Sequence, residues 1–166
     1  NNGKVLAASI NLDAIAIAAK RDDMKINEKS EGHGLNEVDI STLSPDEAEY
    51  GRSSSMIKGV AAGLKEKGYE IGGFDACTTS DVMGGSGLSS SAAFEVLIAT
   101  VINHLYNDGK IDAVTVAKAA QFSENVYFGK PSGLLDQMAS SVGTFVTIDF
   151  KDTANPVIKK VDFDFA

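Results

Sequence analysis

The apolar and polar positions at the start of the chain alternate in the manner of β-strands. Apolar and small side chains alternate through residues 4–20, which end in a charged turn at 20–23, so this stretch is predicted to be extended. Residues 24–27 are predicted to be the return strand of a hairpin, residues 28–37 a polar loop, and residues 38–40 a short strand. The first 40 residues are therefore predicted to be mainly β-structure.

Helical periodicity replaces this alternation after residue 44. Residues 44–47, Ser-Pro-Asp-Glu, are typical of an N-cap and first turn, and helical sequence continues in one or two pieces to Lys67. Further helices are predicted behind the glycines at 84–87, from about Asp112, and after the Pro/Gly loop at 128–133. Strands are predicted at three further places: residues 74–79, 144–150 and 157–161.

The stretch from Gly84 to Ala93 reads Gly-Gly-Ser-Gly-Leu-Ser-Ser-Ser-Ala-Ala and leads into an apolar helix. Glycines allow tight turns and bring bare N–H groups against a ligand, and a helix N-terminus adds unpaired N–H groups and a positive dipole end. Such a loop is a ready-made anion site, and phosphate is the first anion to consider. The alternative is a Gly/Ser linker, or an ordinary N-cap with additional serines.

Three better-known glycine motifs do not fit this loop. A Walker motif needs Lys and Ser/Thr after its last glycine, where Leu88 and Ser89 stand. A Rossmann fingerprint needs a third glycine at the position of Ser90, and a nucleophile elbow needs one at Leu88. What remains is a glycine loop whose serines can cap the helix, donate to phosphate or ligate a hard cation such as Mg²⁺.

Length, charge and cysteine content narrow the class of protein. With 166 residues and 43% apolar content, the chain can bury one core, and one domain is expected. A net charge of −8 argues against general binding to nucleic acid or a membrane surface, and the longest apolar run, Ala14 to Ala19, is too short to span a bilayer. The single cysteine, Cys77, is predicted to pack in the core and excludes an internal disulfide, which favours a reduced, cytoplasmic setting.

Two acidic residues further along are candidates for chemistry. Glu124 continues the apolar stripe of the helix that begins near Asp112, where a carboxylate is costly unless it meets a cation or hydrogen-bond donors. The alternative is that it lies at the helix end and reaches solvent. Asp136 lies in a predicted first helical turn, where it either favours the helix dipole or acts as a general base near the phosphate site.

Taken together, these segments resemble the galactokinases of the GHMP kinase superfamily. The resemblance is carried by Gly-Leu-Ser-Ser-Ser-Ala at 87–92, Glu124-Asn125, and Gly-Leu-Leu-Asp-Gln at 133–137, in the family's order and nearly its spacing. Flanking stretches such as residues 2–6 and 58–64 agree as well, so the resemblance covers essentially the whole chain. Met83 stands where the family usually has Pro, and Ser132 where it often has Cys; neither change removes a catalytic group.

The resemblance implies both a fold and an activity. The fold would be α+β, of the ribosomal-protein-S5-domain-2-like type, with a mixed sheet packed with helices. The activity would be transfer of phosphate from ATP to the anomeric hydroxyl of galactose. Ser91 and Glu124 would hold Mg²⁺, Asp136 would take the hydroxyl proton, and Gly133 would join Asp136 in contacting the sugar. The residues implied at the ATP phosphates are Gly85, Ser86, Gly87, Leu88, Ser89, Ser90 and Ser91.

Other activities stay open at this point. Relatives acting on N-acetylgalactosamine or arabinose, a galactokinase-like regulator that binds sugar and ATP without chemistry, and a non-catalytic nucleotide-binding domain are the alternatives. Regulators can lack residues of the Ser-Ser-Ala block, which is complete here, and the presence of Glu124 and Asp136 favours catalysis.

The same resemblance predicts that residues 1–166 are the N-terminal domain of a two-domain kinase, truncated at both ends. The family's sugar-binding Glu-His-Thr-Asp signature would fall before Asn1, and the second domain would follow Ala166. The isolated chain is accordingly expected to be inactive, because positioning by both walls of a cleft supplies much of phosphoryl-transfer catalysis.

Overall fold

The computed structural model describes residues 3–153 and 155–161, which form seven strands and four α-helices. The strands are β1 (Lys4–Ala8), β2 (Ala14–Lys20), β3 (Lys25–Ser30), β4 (Leu35–Asp39), β5 (Phe74–Ser80), β6 (Phe145–Asp149) and β7 (Val157–Val161). The helices are α1 (Ser53–Glu66), α2 (Ser90–Tyr106), α3 (Ala113–Phe122) and α4 (Leu135–Val142), with a 3₁₀ turn at Glu47–Glu49 and a π-helical turn at Ser123–Tyr127. The α+β class implied by the sequence resemblance is confirmed.

The strands of the described residues form two sheets. One is three-stranded and antiparallel, in the order β1-β6-β7, and the other is four-stranded, in the order β2-β5-β3-β4. The second sheet is mixed, because β5 runs antiparallel to β2 but parallel to β3. A parallel pair needs a crossover connection, which α1 supplies between β4 and β5.

The predicted hairpin between the first extended stretch and residues 24–27 is wrong. Strand β5 lies between β2 and β3, so that Cys77 pairs with Ile17 on one side and with Lys29 on the other. Strand β5 buries Phe74, Ala76 and Thr78. A strand with a buried face is stabilised by side-chain contacts with neighbours on both sides, and here these contacts outweigh the short connection that favours pairing of successive strands.

The predicted polar loop at residues 28–37 is also wrong for most of its length. Strand β3 continues to Ser30, and β4 begins at Leu35, so only residues 31–34 turn. Glu28 is fully buried in β3, where it accepts hydrogen bonds from Thr78 Oγ1 at 2.6 Å and from Asn36 Nδ2 at 2.7 Å. Hydrogen-bond donors from neighbouring strands therefore stabilise the Glu28 side chain in the interior, although its polarity alone predicts that it is exposed to solvent.

The helices cover one face of each sheet and form two apolar clusters. Helices α1 and α2 pack on the four-stranded sheet, α3 packs against α1, α2 and α4, and α4 packs on the three-stranded sheet through Met138 against Val146 and Ile148. The opposite face of the four-stranded sheet exposes Ile17 and Cys77, so the prediction that Cys77 lies in the core is wrong. The alternation of β5 places Phe74 and Ala76 inward and Cys77 outward.

Two glycines bring α1 against the segment that carries Glu124. A Cβ atom at Gly59 would lie 2.7 Å from Ser123 Oγ, and one at Gly63 would lie 3.2 Å from Ala119 Cα. Because these two glycines have no side chain, the backbone of α1 approaches α3 and the π-helical turn closely. No helix in the described part of the chain is long and apolar enough to cross a membrane.

Candidate functional site

The glycine-rich loop joins β5 to α2 and is exposed from Gly84 to Leu88. Gly85 and Gly87 both have φ of 77°, in the left-handed region that favours glycine, and neither has an atom within 4 Å of a Cβ position. Backbone conformation, not crowding, therefore requires these glycines. Within the loop, Ser86 donates to Met83 O at 2.7 Å, and Leu88 N–H donates to Ser86 Oγ at 3.3 Å.

Helix α2 begins directly behind this loop, and its N-cap is Ser89. Ser89 has φ of 62°, and its hydroxyl makes no capping hydrogen bond. The N–H groups of the first turn, which begins with Ser90 and Ser91, have no partner within the helix, and they point with the positive dipole end toward the loop. The loop and helix together have the arrangement that binds phosphate, and the Ser89 side chain is not used as an ordinary cap.

The Ser89 hydroxyl instead contacts the second candidate acid. It donates to Asp136 Oδ2 at 2.5 Å, across 47 sequence positions. Asp136 lies in the first turn of α4, so this bond joins the N-termini of two helices. A cleft of about 570 Å³ opens at this point and is lined by Gly87, Leu88, Ser89 and Asp136, among others. A carboxylate thus faces a cleft at the edge of the glycine loop.

Ser91 and Glu124, the pair that the resemblance implies for Mg²⁺, also lie in contact. Ser91 Oγ donates to Glu124 Oε1 at 3.0 Å, and Glu124 is 2% exposed on the π-helical turn. The same Oε1 accepts from Lys130 Nζ at 2.9 Å, and Oε2 accepts from Gln137 Nε2 at 2.6 Å. The alternative that Glu124 reaches solvent at a helix end is wrong, because the structure supplies both the cation and the donors that a buried carboxylate requires.

The pKa of Glu124 reflects two opposing causes. Burial acts to raise it, but hydrogen bonds from Lys130 and Ser91 and the charge of Lys130 outweigh burial and lower it below the ordinary value. The ammonium of Lys130 has its own pKa raised by the same contact. Glu124 is therefore held as a carboxylate. A negatively charged side chain in this position can interact with a cation.

Helix α4 connects the two pairs through adjacent residues. Asp136 contacts Ser89, and Gln137 contacts Glu124. A second cleft, of about 480 Å³, is lined by Gly84, Ser90 and Ser91 and by side chains of β3, β4 and α1. The glycine loop and the start of α2 thus lie between two clefts, and Asp136 lines the first of them.

Gly133 lies exposed in the loop before α4. Asn125 holds this loop in place, since its Oδ1 accepts from Ser132 N–H at 2.6 Å. Gly133 is not among the residues that line the cleft beside Asp136, and its contact with a substrate stays a prediction.

Three residues of the site did not emerge from sequence reasoning: Lys130, Gln137 and Glu95. The sequence indicated that a buried Glu124 requires a cation or hydrogen-bond donors, but it did not identify Lys130 as that cation. Glu95 is fully buried in α2, and burial, followed by the charge of Glu124, raises the pKa of its carboxyl to about 8. A single acid among apolar residues of a helix was the signal for Glu95. Among the described residues, no three His, Cys, Asp or Glu side chains form a cluster able to hold a metal ion by themselves.

Comparisons with known proteins identify relatives of this chain. The family model described as GHMP kinases N terminal domain matches residues 51–144, which contain the glycine loop, Glu124 and Asp136. The galactokinase of Clostridium tetani is 35% identical over 146 residues, covering 86% of this chain and 36% of that protein. The galactokinase of Pyrococcus furiosus is 38% identical over 151 residues, covering 91% of this chain and 41% of that protein.

A solved structure gives the same result for the fold. The crystal structure of Lactococcus lactis galactokinase complexed with galactose matches with a TM-score of 0.83 and 30% identity, covering 98% of this chain and 42% of that one. The chain thus spans about two fifths of the length of these relatives. Because the family model covers more than half of its residues, the chain belongs to the GHMP kinase N-terminal domain family.

Proposed function

We propose that this chain is the nucleotide-binding N-terminal domain of a galactokinase, which phosphorylates the anomeric hydroxyl of galactose with ATP. The observation that supports the proposal most strongly is the Ser89–Asp136 hydrogen bond of 2.5 Å, in which a carboxylate that lines a cleft contacts the end of the glycine loop. The similarity to named galactokinases supports galactose as the acceptor.

The loop from Gly85 to Ser91 binds the ATP phosphates in this proposal. Its glycines leave backbone N–H groups accessible, and the N-terminus of α2 adds the dipole and the N–H groups of the first turn. The overall charge of −8 does not oppose this, because a nucleotide needs only a local nest of N–H groups and a cation.

The Ser91 hydroxyl and the Glu124 carboxylate fit Mg²⁺ in the chemistry of their donors. Both are hard oxygen ligands, they lie 3.0 Å apart, and Glu124 already accepts from one cation, the Lys130 ammonium. Mg²⁺ usually takes one or two carboxylates together with substrate phosphates, so a cluster of three acids is not required. When bound, the ion would neutralise negative charge on the phosphates.

Asp136 orients the acceptor hydroxyl and receives its proton. The anomeric oxygen forms a bond to the γ-phosphorus, the bond from that phosphorus to the β,γ-bridging oxygen breaks, and ADP departs with the electron pair. The proton of the hydroxyl passes to an Asp136 oxygen. The bond that Oδ2 accepts from the Ser89 hydroxyl at 2.5 Å supports this role, because it is the same kind of contact that a sugar hydroxyl would make. Positioning contributes more than base strength if the transition state is loose.

The experiment is a sugar panel with the full-length protein, ATP and Mg²⁺. Galactose, N-acetylgalactosamine and arabinose are supplied separately, and ³¹P NMR identifies the phosphorylated position. The proposal expects galactose 1-phosphate with the highest kcat/KM of the three. Binding of ATP and galactose without product would indicate a regulator, and product from another sugar alone would correct the substrate.

The panel is repeated with Asp136→Asn, which removes the proposed proton acceptor, and the matched control is Asp22→Asn, the same chemical change at an exposed turn outside both clefts. It is expected to retain the activity of the unmodified protein with every sugar of the panel.

A further inference from the structure

Strand β2 lies at an edge of the four-stranded sheet, and within the described ranges no strand pairs with its outer side. Two bonds on its inner side show which way its backbone groups point. Arg21 N–H donates to Gly73 O, and Asp13 O accepts from Asp81 N–H, each at 2.9 Å. Because the backbone groups of successive residues in a strand point to opposite sides, the odd-numbered residues of β2 face β5. The residues whose N–H and C=O groups point to the open edge are therefore Ala14, Ala16, Ala18 and Lys20.

This open edge lacks the features that usually keep sheet edges apart. Residues 14–19 include no charged residue and no proline, whereas the edge strands β4 and β7 each carry two charged residues. The uncharged run of the edge strand β1 is shorter, at residues 5–8. On the outer face of β2, Ile15 and Ile17 are 55% and 80% exposed. An apolar edge strand without charge or proline favours pairing with a strand of another chain.

The alternation of β2 defines how this edge can pair with the same strand of a second copy. In an antiparallel pairing centred on Ile17, Ala14 lies opposite Lys20, and Ala16 lies opposite Ala18. Every N–H and C=O group of the open edge then acquires a partner. The odd-numbered residues form the non-hydrogen-bonded pairs, in which the side chains lie closest together.

The side chains on the outer face complement each other in this register. Ile17 lies opposite Ile17 of the second copy, and Ile15 lies opposite Ala19. Apolar and β-branched pairs of this kind stabilise neighbouring strands. The pairing would therefore cover the most exposed apolar side chain of the sheet, which is Ile17.

Charges at the two ends of β2 favour this register over the neighbouring ones. It brings Asp13 opposite Arg21 of the second copy, whereas shifts by two residues bring Asp13 opposite Asp23 or Ala19. Opposite charges that face each other across strands are favourable, and like charges are not. Arg21 binds Asp23 and Asp75 through three of its five N–H donors, which leaves two for a carboxylate across the interface.

We propose that β2 is a homodimer interface, at which the β2 strands of two copies pair antiparallel about Ile17. The two four-stranded sheets then form one continuous sheet. The contact is self-complementary and closed by a two-fold axis, which is the commonest symmetry of soluble oligomers. It is independent of the proposed kinase function, since Ile17 lies outside both clefts.

The first experiment measures the mass of the full-length protein by sedimentation equilibrium. We expect a dimer, and we expect Ile17→Lys to raise its dissociation constant by about tenfold or more, because two ammonium groups then lie opposite each other at the two-fold axis. The matched control is Val157→Lys, the same change at a 56% exposed position of β7. It is expected to leave the dissociation constant unchanged.

The second experiment tests the register by disulfide cross-linking. Cys77 is replaced by serine in all variants, because it lies opposite Ile17 within the sheet of one chain. We expect Ile17→Cys to form a disulfide between two chains under mild oxidation, since directly opposite residues of a non-hydrogen-bonded pair have Cα atoms about 4.5 Å apart.

Ile15→Cys is the control for the register. The two copies of residue 15 would lie four positions apart along the paired strands, or about 13 Å, which is too far for a disulfide. This variant is expected to remain uncross-linked by itself and to cross-link when Ala19→Cys is added.

A monomeric full-length protein would overturn the proposal, as would a dimer that Ile17→Lys and Val157→Lys affect equally. Cross-linking of Ile15→Cys alone, without cross-linking of Ile17→Cys, would overturn the register. If Ile17→Lys does not fold, the cysteine variants decide the question. Kinase turnover is measured separately, so a dimer without turnover would contradict the proposed function and leave the interface standing.

Discussion

The Ser89 hydroxyl donates a hydrogen bond of 2.5 Å to Asp136 Oδ2 and thereby joins the first turns of α2 and α4. Both helices direct their positive ends toward this point, where one end adjoins the glycine loop and the other carries the acid. The bond thus brings the Asp136 carboxylate, the proposed proton acceptor, beside the proposed phosphate site. It also accounts for the failure of Ser89 to cap its own helix.

Ser89 combines a side-chain contact with a left-handed backbone, and two variants separate these contributions. Ser89→Gly and Ser89→Ala both lose the bond to Asp136, but only glycine adopts φ of 62° without strain. We expect the Gly variant to be more stable than the Ala variant by about 1–2 kcal/mol in urea unfolding. Equal stability would mean that the backbone relaxes when Ser89 is replaced.

Ser91 and Glu124 are expected to act as one unit toward Mg²⁺. Ser91→Ala and Glu124→Gln should each raise the Mg²⁺ requirement, and the double variant should be little worse than the more damaging single one. The coupling expected for groups in contact is about 0.5–3 kcal/mol. A Mg²⁺ titration of the four proteins measures it, and full additivity would count against a shared ion.

Lys130 is expected to be replaceable by a metal ion. Lys130→Met leaves Glu124 Oε1, which is buried, without its cation, and we expect a loss of about 1–3 kcal/mol in unfolding free energy without metal. Saturating Mg²⁺ with ATP should restore most of this loss, because a ligand that binds only the folded state stabilises it. The measurement is thermal unfolding with and without Mg²⁺·ATP. The same loss under both conditions would show that the ion does not bind at Glu124.

Glu95 gives stability a pH dependence whose sign follows from its raised pKa. Between its ordinary value and about 8, the folded state keeps a proton that the unfolded state releases, so the stability contributed by this group falls as pH rises through that range. Glu95→Gln lacks this titration and should gain stability relative to the unmodified protein from pH 5 to pH 8, by at most ~1.4 kcal/mol per pH unit. Urea unfolding at both pH values measures the difference.

The charged groups that face Glu95 are Glu124 and Lys130, and they remain in both proteins of this comparison. A difference in unfolding free energy that is constant with pH would contradict a neutral Glu95.

The parts of the fold that sequence could predict are those with local signals. Gly68, with φ of 85°, ends α1 after its C-cap, and Asp112 caps α3 through its bond to Thr115 N–H, so both boundaries are close to prediction. The pairing of β3 with β5 joins residues 48 positions apart, as in Asn27 opposite Asp75, and no local pattern reports it. The hairpin prediction failed for that reason.

For the site as well, the sequence predicted what a residue requires but not which residues meet that requirement. An acid in line with an apolar stripe revealed that Glu124 needs a cation or donors, but not that Lys130 and Gln137 meet this need. The resemblance implied that Ser89 and Asp136 both serve a phosphate site, yet their direct bond depends on how α2 and α4 pack. Burial of Glu28 likewise depends on Thr78 from another strand.

The most direct test of the account is turnover of Asp136→Asn in the full-length protein, measured with saturating ATP, Mg²⁺ and galactose. The variant keeps the shape of the side chain and loses the proton acceptor, so we predict a fall in turnover on the order of 10²–10⁴, with nucleotide binding retained. Asp22→Asn is measured beside it and should match the unmodified protein. Near-normal turnover of Asp136→Asn would contradict the account and leave Asp136 as a residue that only favours the dipole of α4.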